Sequence, residues 1–305
     1  MPNTLGERDW ELLLRRIKAG KCTPFLGAGA CFGVLPLGCD IAQKWAQEHE
    51  YPLEDCHDLA RVAQYLAVTE DPMAPKEIIT EWIKSVPPPN FTEPDEPHSV
   101  LAGLPLPVYI TTNYDDFMVQ ALKSRNKDPK QELCRWNKYV KKLPSIFDSE
   151  PGFNPTTANP VVFHLHGHTK VPESLVLTED DYLDFLVAIS KDQVTISKDQ
   201  RLLPARIEQA FAGASLLFLG YRIADWDFRV LFRILVSYME ISTKRAHVSV
   251  QLVPGEDKLS KPEKEKAQEY LDRYFGELKI RVYWGTCREF AKELRKRWEA
   301  FDRGN

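Results

Sequence analysis

The chain has 305 residues, 43% hydrophobic and 28% charged, with a formal net charge of −4. Those proportions are ordinary for a globular protein and exclude a wholly disordered or collagen-like chain. The isoelectric point of about 6.0 leaves no global basic field to draw the chain to nucleic acid or lipid.

The opening residues Met1–Asp9 carry no apolar leader segment, and no apolar run approaches the ~20 residues that cross a bilayer. Cys22, Cys31, Cys39, Cys56, Cys134 and Cys287 are scattered and never spaced Cys-x-x-Cys. That argues against a zinc ribbon and a disulfide framework. The expectation is a soluble, reduced, cytoplasmic protein.

Glu7 to Ala19 predicts a helix with Trp10, Leu13, Leu14 and Ile17 on one stripe and Gly20 as its stop. Cys22 to Leu26 is a short apolar run feeding Gly27-Ala28-Gly29-Ala30, a strand and then a glycine turn. Helical signal follows. Asp40 is placed to cap Ile41 to Glu48, Asp55 to cap His57 to Val68, and Pro75 to start a helix through Val86. Residues 36–105 therefore read as a helical insertion within a single domain over 1–305, with the rest of the sheet in 106–305.

Val108 to Ile110 predicts a strand running into Thr111-Thr112-Asn113-Tyr114-Asp115, then a helix from Asp116 to Lys123. Residues 124–160 read as irregular, with a basic cluster at Lys138, Lys141 and Lys142. Val161 to Leu165 is a strand ending at His166-Gly167-His168. Helices at 179–190 and 200–212 precede a strand from Ser215 to Leu219 that ends at Gly220. A helix from Asp225 to Met239, a strand from His247 to Val253, a helix from Lys261 to Tyr274, a strand from Leu278 to Tyr283 and a basic helix from Arg288 to Phe301 complete the chain.

Short apolar strands alternating with helices predict an α/β fold, a doubly wound, mostly parallel Rossmann-like sheet with a helical insertion. Such sheets bind ligands beyond the carboxyl ends of their strands. Gly27–Ala30, Thr111–Asp115, His164–His168 and Gly220–Asp227 all fall at such ends. Each has a functional and a bland reading. The glycines can admit a pyrophosphate or simply make a tight turn. The Asn113 amide can hold a ribose hydroxyl or a water, or cap the next helix. Asp115 or Asp116 reads first as that cap. His166 can move a proton or be structural. Asp225 can hold a ribose hydroxyl or cap a helix. The basic face of the last helix reads as solvated, which argues against direct nucleic-acid binding.

Taken together, Phe25-Leu26-Gly27-Ala28-Gly29-Ala30, Thr111-Thr112-Asn113-Tyr114-Asp115, His164-Leu165-His166-Gly167 and Leu219-Gly220-Tyr221 resemble the sirtuin-like superfamily. They are most similar to its zinc-free bacterial branch of NAD+ hydrolases in anti-phage defence. His98 to Ala102 and Leu177 to Tyr182 are similar to that branch as well. The Cys-x-x-Cys zinc module of the deacylating sirtuins is missing, as is their Gly-Ile-Pro-x-Phe-Arg stretch.

The resemblance implies NAD+ as substrate and no zinc. It implies Asn113 and His166 as the catalytic pair, with His166 as general base. Gly27, Ala28, Gly29, Thr112, Asp115, Gly220 and Asp225 are implied as cofactor-binding residues. It implies a homo-oligomer, with a separate partner such as a HerA-type ATPase or an Argonaute-like protein, and no membrane. A non-catalytic NAD+ or ADP-ribose-binding subunit and an NAD-dependent protein deacylase stay open as alternatives.

Overall fold

The computed structural model describes residues 5–192, 202–221, 229, 230, 232, 246–252 and 260–304. Helix α1 (Glu7–Lys18) buries Trp10, Leu13, Leu14 and Ile17, and Gly20 stops it at φ +64°, a left-handed conformation that glycine adopts without steric cost. Strand β1 (Cys22–Leu26) follows, buried along its whole length. A 3-10 turn over Ala28–Cys31 leads to helices α2 (Gly38–Glu48), α3 (Leu59–Thr69), α4 (Ala74–Ser85) and α5 (Pro97–Ala102). Then come β2 (Val108–Thr111), α6 (Phe117–Ser124), β3 (Lys130–Leu133), α7 (Ile146–Ser149) and β4 (Val161–His164). The chain continues through α8 (Glu179–Asp192), α9 (Ala205–Gly213), β5 (Ser215–Leu219), β6 (His247–Gln251), α10 (Lys261–Glu277), β7 (Ile280–Trp284) and α11 (Cys287–Arg303).

The seven strands form one sheet in the order β3-β4-β2-β1-β5-β6-β7, and every neighbouring pair is parallel. The chain is therefore α/β with a Rossmann-like sheet. Parallel strands are buried on both faces, so their side chains alternate between two apolar layers. Cys22, Leu26, Tyr109, Val162, Leu217 and Leu219 pack on one face, with α1, α5, α6 and α11 supplying Leu14, Leu101, Leu122 and Leu294. Phe25, Ile110, Phe163, Leu216 and Phe218 pack on the other, against Phe185 of α8, Ile207 of α9 and Phe275 of α10.

Helices α2, α3 and α4 share a core of their own, built on Trp45, Val62, Leu66 and Ile79 and joined to Leu175 and Leu177. A largely buried ion pair fastens them to α8: Lys76 Nζ of α4 lies 2.8 Å from Asp181 Oδ1. Helix α5 packs instead within the layer over the sheet.

Several details differ from the sequence reading. Helix α2 begins at Gly38, so Asp40 lies within its first turn and accepts from the Leu37 amide instead of preceding the helix. Helix α3 is capped by Asp58, which accepts from the Ala60 and Arg61 amides, while Asp55 accepts from the Tyr51 hydroxyl. Strand β3 lies in the stretch read as irregular. Among the described residues it is an edge strand paired with β4 alone, so Lys-Gln-Glu-Leu carries none of the apolar signal of a central strand. Of the expected helix from Asp225 to Met239 only residues 229, 230 and 232 are described, all three helical, and Asp225 itself lies outside the described residues. Among the described residues no helix is long and apolar enough to cross a membrane.

Candidate active site

Four strands keep their register up to the sheet edge where the motifs begin. The Leu165 amide donates to Thr111 O at 2.8 Å, Thr112 to Leu26 O at 3.0 Å, and Gly27 to Leu219 O at 2.9 Å. Position 28 thus leaves β1, 113 leaves β2, 166 leaves β4 and 221 leaves β5 along one edge, each two residues past a paired position. This edge is where open α/β sheets hold their ligands, and β1 is flanked there by β2 and β5, the point at which the strand order reverses.

Gly27, Gly29 and Gly220 are required by backbone packing. The Gly29 amide donates to Gly220 O at 3.0 Å. Gly220 has φ +79°, and a Cβ there would stand 2.2 Å from Ala30 N and 2.5 Å from Gly27 O. A Cβ on Gly29 would meet Gly220 Cα at 2.9 Å. The N–H groups of Gly27 and Gly29 are therefore engaged by protein carbonyls, and these glycines bring the β1 and β5 loops together.

Asn113 is half-buried beside that loop. Its Nδ2 donates to Gly27 O at 3.1 Å and to Cys31 Sγ at 3.2 Å, and its own amide is held by Thr111 Oγ1 at 2.9 Å. Thr112 faces Tyr221: the two hydroxyls are 2.8 Å apart, and the Tyr221 hydroxyl donates to Leu26 O at 2.8 Å. Tyr221 thus pins the ends of β1, β2 and β5 to one another. Burial raises its phenol well above the usual range, with the hydroxyl and backbone of Thr112 opposing.

Asp115 is buried and serves the start of α6, accepting from the Phe117 amide at 2.9 Å, while its other oxygen accepts from the Cys31 thiol at 3.4 Å. Burial raises its carboxyl, and the charge of His98 opposes that. Behind Cys31 stands His98, with Nε2 3.9 Å from Sγ and Nδ1 2.7 Å from Glu96 Oε1. Burial favours a neutral Glu96, but His98 and the Ser99 and His98 amides outweigh it and hold the carboxyl below its usual range. Burial, then the charge of Asp115 and its hydrogen bond, lift the Cys31 thiol well above the usual value, so it stays S–H.

His166 is buried, its ring edge-on to Phe185 and Tyr182 of α8 at centroid distances of 4.9 and 5.5 Å. Neither ring nitrogen has a hydrogen-bond partner among the described residues, and burial pulls the imidazole down to about 3. It is a neutral base. Gly167 next to it has φ +87°, and a Cβ there would fall 2.3 Å from Ser174 O, so the turn that aims His166 tolerates glycine alone. His164 and His168 stack edge-on at 4.6 Å and share the Gln131 amide. They form a separate pair.

Cys31, His98, Glu96 and Tyr221 carried no assigned role in the sequence reading. Cys31 follows directly on the glycine run and Tyr221 on Gly220, and that adjacency was the available signal. Among the described residues no group of three or more His, Cys, Asp or Glu is arranged to hold a metal ion.

A family model described as "SIR2-like domain" matches residues 107–278, just over half of the chain. The relatives include proteins that bear the name NAD(+) hydrolase ThsA. The protein of Acinetobacter baumannii (strain 532279) is 25% identical over 133 residues, which is 44% of this chain and 23% of that protein. That of Bacillus cereus (strain MSX-D12) is 25% identical over 205 residues, 66% of this chain and 37% of the relative. That of Cytobacillus dafuensis is 24% identical over 200 residues, 64% and 34% respectively. The matched region thus spans between 23% and 37% of the length of these relatives.

Proposed function

Because the chain belongs to the SIR2-like domain family, we propose that it is an NAD+ hydrolase, cleaving the nicotinamide–ribose bond to nicotinamide and ADP-ribose. The observation that carries this reading is the junction of Asn113 with the glycine loop, Nδ2 to Gly27 O at 3.1 Å, on the edge that His166 also leaves. The name shared by the three relatives points the same way.

The chemistry suits a sparse site. Nicotinamide leaves with the electron pair of the breaking C–N bond and departs neutral, so no general acid is needed. Positive charge grows on the ribose ring, and water adds to the same carbon. The protein's tasks are to fix the sugar, hold one water and exclude others. Asn113 supplies the hydrogen bond that fixes the sugar or the water. His166, neutral at every physiological pH, accepts the proton that water loses and passes it to solvent. A base so weak suits a reaction in which the carbon is already cationic when water attacks. A positioned base contributes roughly 10²–10⁴-fold in general.

In this reading NAD+ depletion is the output of an anti-phage effector, held in check by assembly into a homo-oligomer or by a separate partner such as a HerA-type ATPase or an Argonaute-like protein. The test is chromatography of nicotinamide after mixing the purified chain with NAD+, alone and with the products of neighbouring genes. Nicotinamide and ADP-ribose in equal amounts are expected. NAD+ binding without nicotinamide in every mixture would make the chain a binding subunit. Turnover strictly dependent on added acyl-peptide would make it a deacylase.

A further inference from the structure

The buried polar groups beside Asn113 form a chain whose direction is fixed at both ends. The Gly27 carbonyl can only accept, so the atom of Asn113 that faces it at 3.1 Å is Nδ2. The same nitrogen lies 3.2 Å from Cys31 Sγ and donates to it. The thiol then has its own proton to place, and Asp115 Oδ2 receives it at 3.4 Å. Asp115 is itself anchored by the Phe117 amide at 2.9 Å. On the other side of the sulfur stands His98, oriented by Glu96, which accepts from His98 Nδ1 at 2.7 Å and from the His98 amide at 3.1 Å. Cys31, His98, Glu96 and Asp115 are all buried. Asn113, by contrast, is half-buried, and its Oδ1 has no partner among the described residues.

We propose that Cys31 is a positioning residue: its thiol, seated between Asp115 and the Glu96–His98 pair, fixes the Asn113 carboxamide with nitrogen toward the glycine loop and oxygen toward bound substrate. The oxygen left free is an acceptor, so Asn113 engages a hydroxyl or a water rather than a carbonyl or phosphate oxygen. This rests on the NAD+ hydrolase reading for the identity of the ligand, but the orientation of the amide does not. A thiol suits the position because it accepts and donates at once; alanine does neither, and serine does both.

The test uses the full chain, selectively labelled with ¹⁵N-asparagine, as wild type, Cys31→Ala, Cys31→Ser and Cys31→Val. The Asn113 side-chain pair is the one lost in Asn113→Asp. In Cys31→Ala its resonances are expected to shift and its exchange with water to quicken by about fivefold to tenfold, the loss of one ordinary hydrogen bond. Cys31→Ser is expected to restore most of the protection. Cys31→Val fills the space without a polar atom and serves the same readout if the alanine variant does not fold. Unchanged shifts and protection in Cys31→Ala or Cys31→Val would overturn the proposal.

Nicotinamide release is read in parallel. A fall in kcat of about fivefold to tenfold is expected for Cys31→Ala, with KM for NAD+ nearly constant and Cys31→Ser recovering the rate. An unchanged kcat in Cys31→Ala, or equal losses in Ala and Ser, would overturn it as well. Absence of nicotinamide from the wild type would refute the hydrolase reading alone, and the resonance measurement would still decide on Cys31.

Discussion

Asn113 and His166 each stand two residues beyond a directly paired couple, Thr111 of β2 and His164 of β4. Their side chains arise from neighbouring parallel strands at the carboxyl edge of the sheet. Their surroundings differ. Asn113 is tied to the glycine loop and Cys31 by hydrogen bonds, whereas His166 is held by aromatic rings. One group is oriented by polar contacts; the other has no side-chain hydrogen bond among the described residues and is kept neutral by burial.

That neutrality has a kinetic consequence. A histidine with an ordinary value near 6.5 would lose its base form below that pH. Burial draws His166 down to about 3, so kcat/KM for NAD+ is expected to stay level from about pH 8 to about pH 5. Initial-rate profiles check this. A tenfold decline per pH unit below about 6.5 would assign the proton transfer to a different or less buried group.

Stability, unlike activity, is expected to respond to acid in this range. His164, His166 and His168 are all depressed by burial, His166 to about 3 and His168 to about 4, with His164 further lowered by its neighbour His168. In each case the unfolded chain takes up a proton more readily than the folded one. The stabilisation is therefore whole above about 6.5 and is lost as pH falls from there toward about 3. Asp115 and Glu132, raised by burial, act with the reverse sign and nearer the carboxyl range. Urea midpoints are expected to drop between about pH 7 and about pH 5. A constant midpoint across that window would contradict the burial of the three rings.

Gly220 and Gly276 make a controlled pair. Gly220→Ala must place a methyl 2.2 Å from Ala30 N at φ +79°, and a cost of roughly 2–4 kcal/mol is expected, with loss of the β1–β5 loop contact. A Cβ on Gly276 in α10 meets nothing within 4 Å, so Gly276→Ala is expected to stabilise by about 0.4–1 kcal/mol. Thermal denaturation of both variants decides, and equal effects would refute the close packing of the two loops.

The parts of the site legible in the sequence were those concentrated in short runs. Glycine or polar residues directly after an apolar run, four times over, marked the strand ends, and the parallel sheet followed from strands alternating with helices. What escaped was either polar or scattered. Among the described residues strand β3 pairs with β4 alone, and its Glu132 is buried against Ser145 and the Ile146 amide, so Lys130–Leu133 shows no strand alternation. The support behind Asn113 is drawn from positions 31, 96, 98 and 115, residues distant in sequence that meet only when α5 packs beside β1 and β2. Asp55 read as the cap of α3, yet it is Asp58, three residues on, that takes the Ala60 and Arg61 amides, while Asp55 is engaged by the Tyr51 hydroxyl.

The account is tested most directly by nicotinamide release from Asn113→Ala and His166→Ala beside the wild type, with NAD+ affinity and folding measured on the same samples. Losses of about a hundredfold or more in kcat for each variant, with the fold intact and NAD+ still bound, are the predicted result. Turnover at the wild-type rate in both folded variants would contradict it.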